Sequence, residues 1–311
     1  MGLFETAPVP RFTSGAGARH QIGALALGLA GKGACVLLVA DLGLKATGAI
    51  NDVRDSLKKA GLKTAVFSDF SPDPTIAKTD AAADVARARG ASVVVGLGGG
   101  SALDLAKSVA GIAGAKKSAV YYELCNNPFP KKRLKMIAVP TTSGTGSETT
   151  RTAILTRADK AKTWLWGDPL RFDEVVLDPE LTVSLPAHLT AATGIDALVH
   201  AIEAATNRNR NPGKMYYAYE AIRLCGVYLE TAVKEPGNLE ARGAMQRAAA
   251  LGGIAIDNGG TAIAHNIGHA IGSLRPVHHG RAVGLAMLAS LPWNIDNDDG
   301  RYAACASALG G

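Results

Sequence analysis

The sequence predicts an α/β domain built on a parallel sheet, followed by a domain made only of helices. Short, continuous apolar runs alternate with amphipathic helical stretches through the first half of the 311 residues. The β-rich runs then stop near residue 182, and helical periodicity takes over. A strand covered on both faces needs apolar residues at successive positions, so continuous runs separated by helices mean parallel pairing under two helical layers.

Taken in order, ACVLLVAD at 34–41 is the first such run and ends in an acid. NDVRDSLKKAG at 51–61 is an amphipathic helix closed by Gly61. The unit repeats in TAVFSDF, the helix TDAAADVARARG and the run ASVVVGLGGGS, and the helix ALDLAKSVAGIAG follows. MIAVPTT at 136–142 supplies another strand, with AILT and EVVLDP as shorter ones. LDPELTVSLP at 177–186 reads as the interdomain link. Beyond it, LTAATGIDALVHAIEAAT, MYYAYEAIRLCGVYLETAVK, LEARGAMQRAAALGGIAI and AIAHNIGHAIG all read as helices, with NRNRNPGK at 207–214 a polar turn. The expected division is residues 1–182 for a nucleotide-binding α/β domain and 183–311 for a helical metal- and substrate-binding domain.

Composition narrows the function. A hydrophobic share of 47% over 311 residues can fill the cores of about two domains. No apolar run approaches the roughly 20 residues that span a bilayer, so no membrane partner is expected. The start, MGLFETAPVPRF, lacks the charged-then-apolar pattern of a secretory signal, and a cytoplasmic protein is expected. Cys35, Cys125, Cys225 and Cys305 are scattered without a Cys-x-x-Cys, which reads as free thiols in a reducing compartment. The net charge of +6 includes one dense basic run, Lys131, Lys132, Arg133 and Lys135, with no interleaved aromatics. It reads as a solvated loop, and nucleic acid is not an expected partner.

Three stretches carry chemistry. GLGGGSALDLAK at 96–107 follows a strand and opens a helix. Glycines at 98, 99 and 100 let backbone approach a phosphate, and the helix N-terminus offers free N–H groups. The plainer reading is a glycine turn with Ser101 as helix cap and Asp104 in a capping role. VPTTSGTGSETT at 139–150 is a second strand-to-loop transition rich in hydroxyls, suited to a diphosphate or nicotinamide, or simply a Ser/Thr-rich loop. Asp41, at the end of the first strand, can accept hydrogen bonds from a ribose diol and repel a 2′-phosphate, or be an exposed turn residue.

The helical half holds the third signal. Asp196 and His200 are four apart and share a helix face. His265 and His269 lie one turn apart further on, and His279 follows, placed in the turn after their helix. One carboxylate with imidazoles suits a borderline divalent cation such as Fe²⁺ or Zn²⁺ better than Mg²⁺ or Ca²⁺.

Together these segments resemble the iron-containing (group III) alcohol dehydrogenases. GGGSALDLAK, VPTTSGTGSE, DPELTVSLPAHLTAATGIDALVHAIEA and AIAHNIGHAIGSLRPVHHG stand in that family's order and spacing, from about residue 10 to the end. The resemblance implies a Rossmann-like domain and a helical metal domain of the dehydroquinate synthase-like fold, with a cleft between them. It implies Asp196, His200, His265 and His279 as metal ligands, His279 being preferred over His278 because it precedes Gly280. It makes His269 a catalytic histidine near the substrate that does not bind metal. Gly98, Gly99, Gly100, Ser101, Thr141, Thr142 and Lys162 fall on cofactor contacts, and Asp41 on the position associated with NAD over NADP. Asp73 stands where many members have Asn. The implied cofactors are NAD and Fe²⁺, with Zn²⁺ as the alternative ion, and the implied assembly is a homo-oligomer, expected as a homodimer.

The implied activity is reversible hydride transfer between a small, primary alcohol and NAD, giving an aldehyde or ketone. Glycerol dehydrogenases and maleylacetate reductases share the plan and remain alternatives, as does a chain that binds nucleotide or metal without turnover. Dehydroquinate synthase is disfavoured, because Arg242, Arg247 and Arg275 do not form its dense basic set. Chains of this family continue for several helices after the segment PWN, whereas this sequence stops at Gly311. The expectation is a compact variant, or a truncated helical domain whose activity is in doubt.

Overall fold

The structure, a computed structural model, describes residues 3–209 and 211–311. Met1 and Gly2 of the MGLFET start and Arg210 of the NRNRNPGK turn lie outside the described residues. In chain order the α/β part runs β1 (Arg11–Ser14), α1 (Ile22–Ala30), β2 (Cys35–Ala40), α2 (Ala49–Lys59), β3 (Lys63–Phe67), α3 (Ile76–Ala88), β4 (Ala91–Gly98), α4 (Gly100–Ile112), β5 (Lys135–Pro140), β6 (Thr152–Thr156), β7 (Lys162–Trp166) and β8 (Glu174–Leu177). Helices follow: α5 (Ala187–Thr206), α6 (Pro212–Lys234), α7 (Leu239–Asp257), α8 (Ile263–Leu274), α9 (His279–Asp296) and α10 (Arg301–Leu309).

Six strands form one sheet in the order β1-β8-β5-β4-β2-β3, and every pairing in it is parallel. Val36, Leu38 and Ala40 of β2 pack with Ile22 and Ala26 of α1 and Val53 and Leu57 of α2. Leu37 and Val39 point to the opposite face and are fully buried as well. Burial on both faces explains the unbroken apolar run. AILT does not extend this sheet. It lies in β6, which pairs antiparallel with β7 as a separate hairpin.

Contacts divide the chain into two units. The first comprises 10–141 and 150–181. The second comprises the segment up to Val9, 142–149 and everything from Thr182 on. The chain thus crosses between units near residue 182, and the short 142–149 segment belongs with the helices. Within the helical unit, α5 packs against α6 and α7 through Ala197, Leu224, Cys225, Ala244 and Met245. It meets α8 and α9 through Val199, Ala264, Val283 and Ala286. The central helix therefore presents one face to the helices that carry the later histidines.

Candidate metal centre and nucleotide loop

Four residues predicted to act together lie on three helices of one unit. Asp196 and His200 sit one turn apart on α5. His265 lies near the start of α8. His279 is the first residue of α9, not part of a turn as expected. Gly280 lets the first turn of that helix come close to α5. A Cβ on Gly280 would stand 2.1 Å from the carbonyl oxygen of Ala192 and 3.1 Å from Cβ of Asp196. Gly268 does the same between α8 and α9, where a Cβ would meet Val283 Cγ2 at 2.7 Å.

Donor atoms of Asp196, His265 and His279 all fall within 4.8 Å of one another. Asp196 Oδ1 is 3.6 Å from Nε2 of His265 and 3.6 Å from Nε2 of His279. His200 lies outside that trio but stacks on His265, with ring centroids 4.3 Å apart and an angle of 19° between planes. Asp196, His200 and His265 are buried, whereas the His279 side chain is 39% exposed, so the cluster reaches solvent on that side. His269 is exposed on α8, its ring 5.0 Å from that of His279 and 6.3 Å from that of His265.

The electrostatics favour a cation. Burial opposes charge on Asp196, yet His200, His265 and His279 hold its carboxyl well below the usual carboxylate range. Burial pushes His200 down to about 3, leaving it neutral. Burial also works against charge on His265, but Asp196 and Glu203 outweigh it and raise this imidazole to about 9. Among the described residues, Asp196 Oδ1, His200 Nδ1 and His265 Nε2 are buried without a hydrogen-bond partner. Each orphaned atom costs about 1–3 kcal/mol in a folded chain. A borderline divalent cation is a chemically matched partner for one carboxylate oxygen and several imidazole nitrogens, so the residues fit such an ion.

Glu203 was not anticipated. It lies seven residues after Asp196 on the same face of α5, and that i, i+4, i+7 stripe in IDALVHAIEA is the signal that could have found it.

The second group gathers at the carboxyl ends of the parallel strands. From β2 the chain steps to β3 on one side and then to β4 on the other, so the order reverses between β2 and β4. Crevices at such switch points are where doubly wound sheets bind nucleotides. Asp41 follows β2, and its Oδ1 accepts from Gly43 N at 2.8 Å. Gly98 ends β4 with φ +150, and a Cβ there would meet Ala102 Cβ at 2.7 Å and Asp41 Cβ at 3.1 Å. Thr141, after β5, donates its backbone N–H to Gly98 O at 3.0 Å.

Ser101 does not cap α4. Gly99 is the cap, its carbonyl accepting from Ala102 N and Leu103 N, because the turn at Gly98 starts the helix at Gly100. Ser101 Oγ instead accepts from Asp73 N at 3.2 Å. Asp104 accepts from Ile154 N at 3.0 Å and pairs with Lys107, tying α4 to β6. Lys162 Nζ is 2.6 Å from Asp73 Oδ1, which links it to the glycine loop through Ser101. Thr142 opens the 142–149 segment of the other unit. There the backbone at Gly144 and Gly146 packs tightly on Thr193 and Gly253, and Thr149 Oγ1 donates to Ala250 O at 2.9 Å. Most of that hydroxyl-rich loop is therefore buried against helices.

Comparison with known proteins agrees with both halves. The model of the family described as iron-containing alcohol dehydrogenase matches residues 9–179. The model for the C-terminal part of the Fe-containing alcohol dehydrogenase family matches 190–311. The NAD-dependent methanol dehydrogenase of Bacillus methanolicus is 34% identical over 302 residues, covering 97% of this chain and 78% of that protein. The choline dehydrogenase of Bacillus subtilis (strain 168) is 32% identical over 321 residues, covering 100% of this chain and 78% of that one. The crystal structure of sulfoacetaldehyde reductase from Bifidobacterium kashiwanohense in complex with NAD⁺ superposes with a TM-score of 0.93 at 32% identity, covering 100% of this chain and 82% of that chain.

Proposed function

This chain belongs to the iron-containing alcohol dehydrogenases, and from that premise we propose that it transfers a hydride reversibly between a small primary alcohol and NAD. The observation that carries the reading is the convergence of Asp196, His265 and His279 donors within 4.8 Å, with His200 stacked beside them. These four side chains would hold Fe²⁺, or Zn²⁺ in its place. When bound, the ion supplies a Lewis acid that favours loss of the alcohol proton near neutral pH, and NAD supplies the hydride acceptor. Methanol and choline, in the names of the two relatives, are both primary alcohols, which supports that substrate class.

The chain's own groups have distinct tasks. The buried side of the cluster excludes water around Asp196 and His265, where a charge interacts more strongly than in solvent. His269, exposed and beside His279, moves the substrate proton to solvent. Gly98, Gly99, Gly100 and Ser101 approach the dinucleotide phosphates at the start of α4, with Thr141, Thr142 and Lys162 as further contacts. Asp41 accepts from the adenosine ribose. We place the protein in the cytoplasm. The four cysteines are free. No described helix is long and apolar enough to cross a membrane. The proposed assembly is a homodimer, which light scattering of the purified chain reads directly. NADH formation over a panel of alcohols, with and without added Fe²⁺, tests the activity. Absence of turnover with every alcohol in the presence of Fe²⁺ would sink it.

Two outcomes follow from these roles. At about 4 Å and an effective dielectric near 20, each unit pair of like charges costs on the order of 4 kcal/mol before screening. Asp41 should therefore impose a strong NAD preference, and Asp41→Gly should relax it towards NADP. Equal kcat/KM for the two cofactors in the unmodified protein contradicts that role. His269→Ala should keep about one ion per chain while lowering kcat roughly 10²–10⁴-fold and altering its pH dependence. Loss of the ion in that variant would make His269 a ligand instead.

A further inference from the structure

α8 has no cap of its own. Ala262, at the cap position, has no side chain able to accept, and the first N–H groups of any helix lack intrahelical partners. Here those donors turn to Glu203 on α5. Glu203 Oε1 accepts from Ala264 N at 2.7 Å and His265 N at 3.4 Å. Oε2 accepts from Ala262 N at 2.7 Å and sits 2.7 Å from His265 Nδ1. The carboxylate is 1% exposed, so no water competes for it.

An ionised carboxylate can only accept, so His265 Nδ1 must be the donor in that contact. Only a neutral ring can bind a cation, and in that form the proton held on Nδ1 leaves the lone pair on Nε2, the atom that lies 3.6 Å from Asp196 Oδ1 and lacks a hydrogen-bond partner. We infer that Glu203 is the positioning residue of the metal centre: one carboxylate caps α8 and, through the same oxygen pair, holds His265 with Nε2 turned towards the ion. This rests on the metal-centre reading of Asp196, His200, His265 and His279. It adds that α5 sets the site twice, by carrying two donors and by clamping the helix that brings the third. A carboxylate behind a ligating imidazole orients the ring and raises its basicity, and losing such a partner commonly weakens metal binding 10–100-fold.

The test compares wild type with E203Q. An amide in place of the carboxylate sets an NH₂ group against N–H donors at one of the two oxygen positions, and in either orientation it removes the negative charge behind His265. Zn²⁺ affinity, measured by competition with a chromophoric chelator, should fall by about 10–100-fold in E203Q. A lower melting temperature with unchanged Zn²⁺ affinity would make Glu203 a helix cap only and overturn the assignment. Zn²⁺-loaded wild type labelled with ¹⁵N-histidine gives a readout that needs no variant. His265, assigned by cross-peaks to the Ala262 and Ala264 amides, should carry its proton on Nδ1. A proton on Nε2 overturns the inference. A wild-type chain that takes up no Zn²⁺ or Fe²⁺ overturns the metal reading itself, and Glu203 with it. Uptake by wild type with equal affinity in E203Q overturns Glu203 alone.

Discussion

His279→Ala is expected to strip the cation and abolish alcohol oxidation while leaving the fold in place. His279 supplies one of three donors gathered within 4.8 Å, and its side chain is the exposed one of the three. Removing it opens no cavity in the core, so the loss should fall on binding and not on packing. The two remaining donors of the trio, Asp196 and His265, leave an incomplete set even with His200 stacked alongside. Borderline ions take four or more ligands, so a missing protein ligand weakens the site steeply. Metal analysis of anaerobically purified wild type should give about one ion per chain, and the variant should retain a small fraction of that. Its melting temperature without metal should match that of metal-free wild type. A variant that keeps the wild-type metal content refutes His279 as a ligand. The same stoichiometry in His278→Ala, whose residue is exposed and precedes α9, should remain at the wild-type level.

How much of this was legible depends on what each residue faces. Val36 to Ala40 announce a central strand because helices cover both faces, and an unbroken apolar run has few other uses. Arg11–Ser14 gives no such signal: four mixed residues become a strand only through pairing with Glu174–Leu177, more than 150 positions away. The hairpin of β6 and β7 was half seen, since Lys162–Trp166 alternates over only five residues. α1 is apolar nearly all round, so IGALALGLA shows no helical period, and α9 contains Pro292, which in a sequence argues against a helix. At the centre, the donor types and the spacing of Asp196 and His200 were visible because a helix repeats its face every three or four residues. Glu203 was hidden for the same reason it matters. An acid in the last turn of a helix reads as a solvated face until the fold sets three backbone N–H groups and an imidazole against it.

The glycine after His279 deserves its own variant, because it decides where that histidine stands. Gly280→Ala is expected to lower stability by about 1–3 kcal/mol, the usual cost of overpacking a close contact. The added methyl would stand 2.1 Å from Ala192 O, a backbone atom of α5 that cannot rotate aside. Relief requires the first turn of α9 to withdraw from α5, and His279 is the first residue of that turn. Its Nε2 then leaves the neighbourhood of Asp196 Oδ1, from which it is now 3.6 Å. Binding sites tolerate displacements of only about 0.5 Å, so cation affinity should fall together with the melting temperature. Gly272→Ala is the matched control. That glycine lies within α8 with nothing inside 4 Å of its added Cβ. Alanine there should stabilise by roughly 0.5–1 kcal/mol through helix propensity alone, with metal content unchanged. If Gly280→Ala melts like the wild type and holds its ion equally well, the close approach of α9 to α5 is not what seats His279. The exposed histidine would then have to be held by contacts of its own ring.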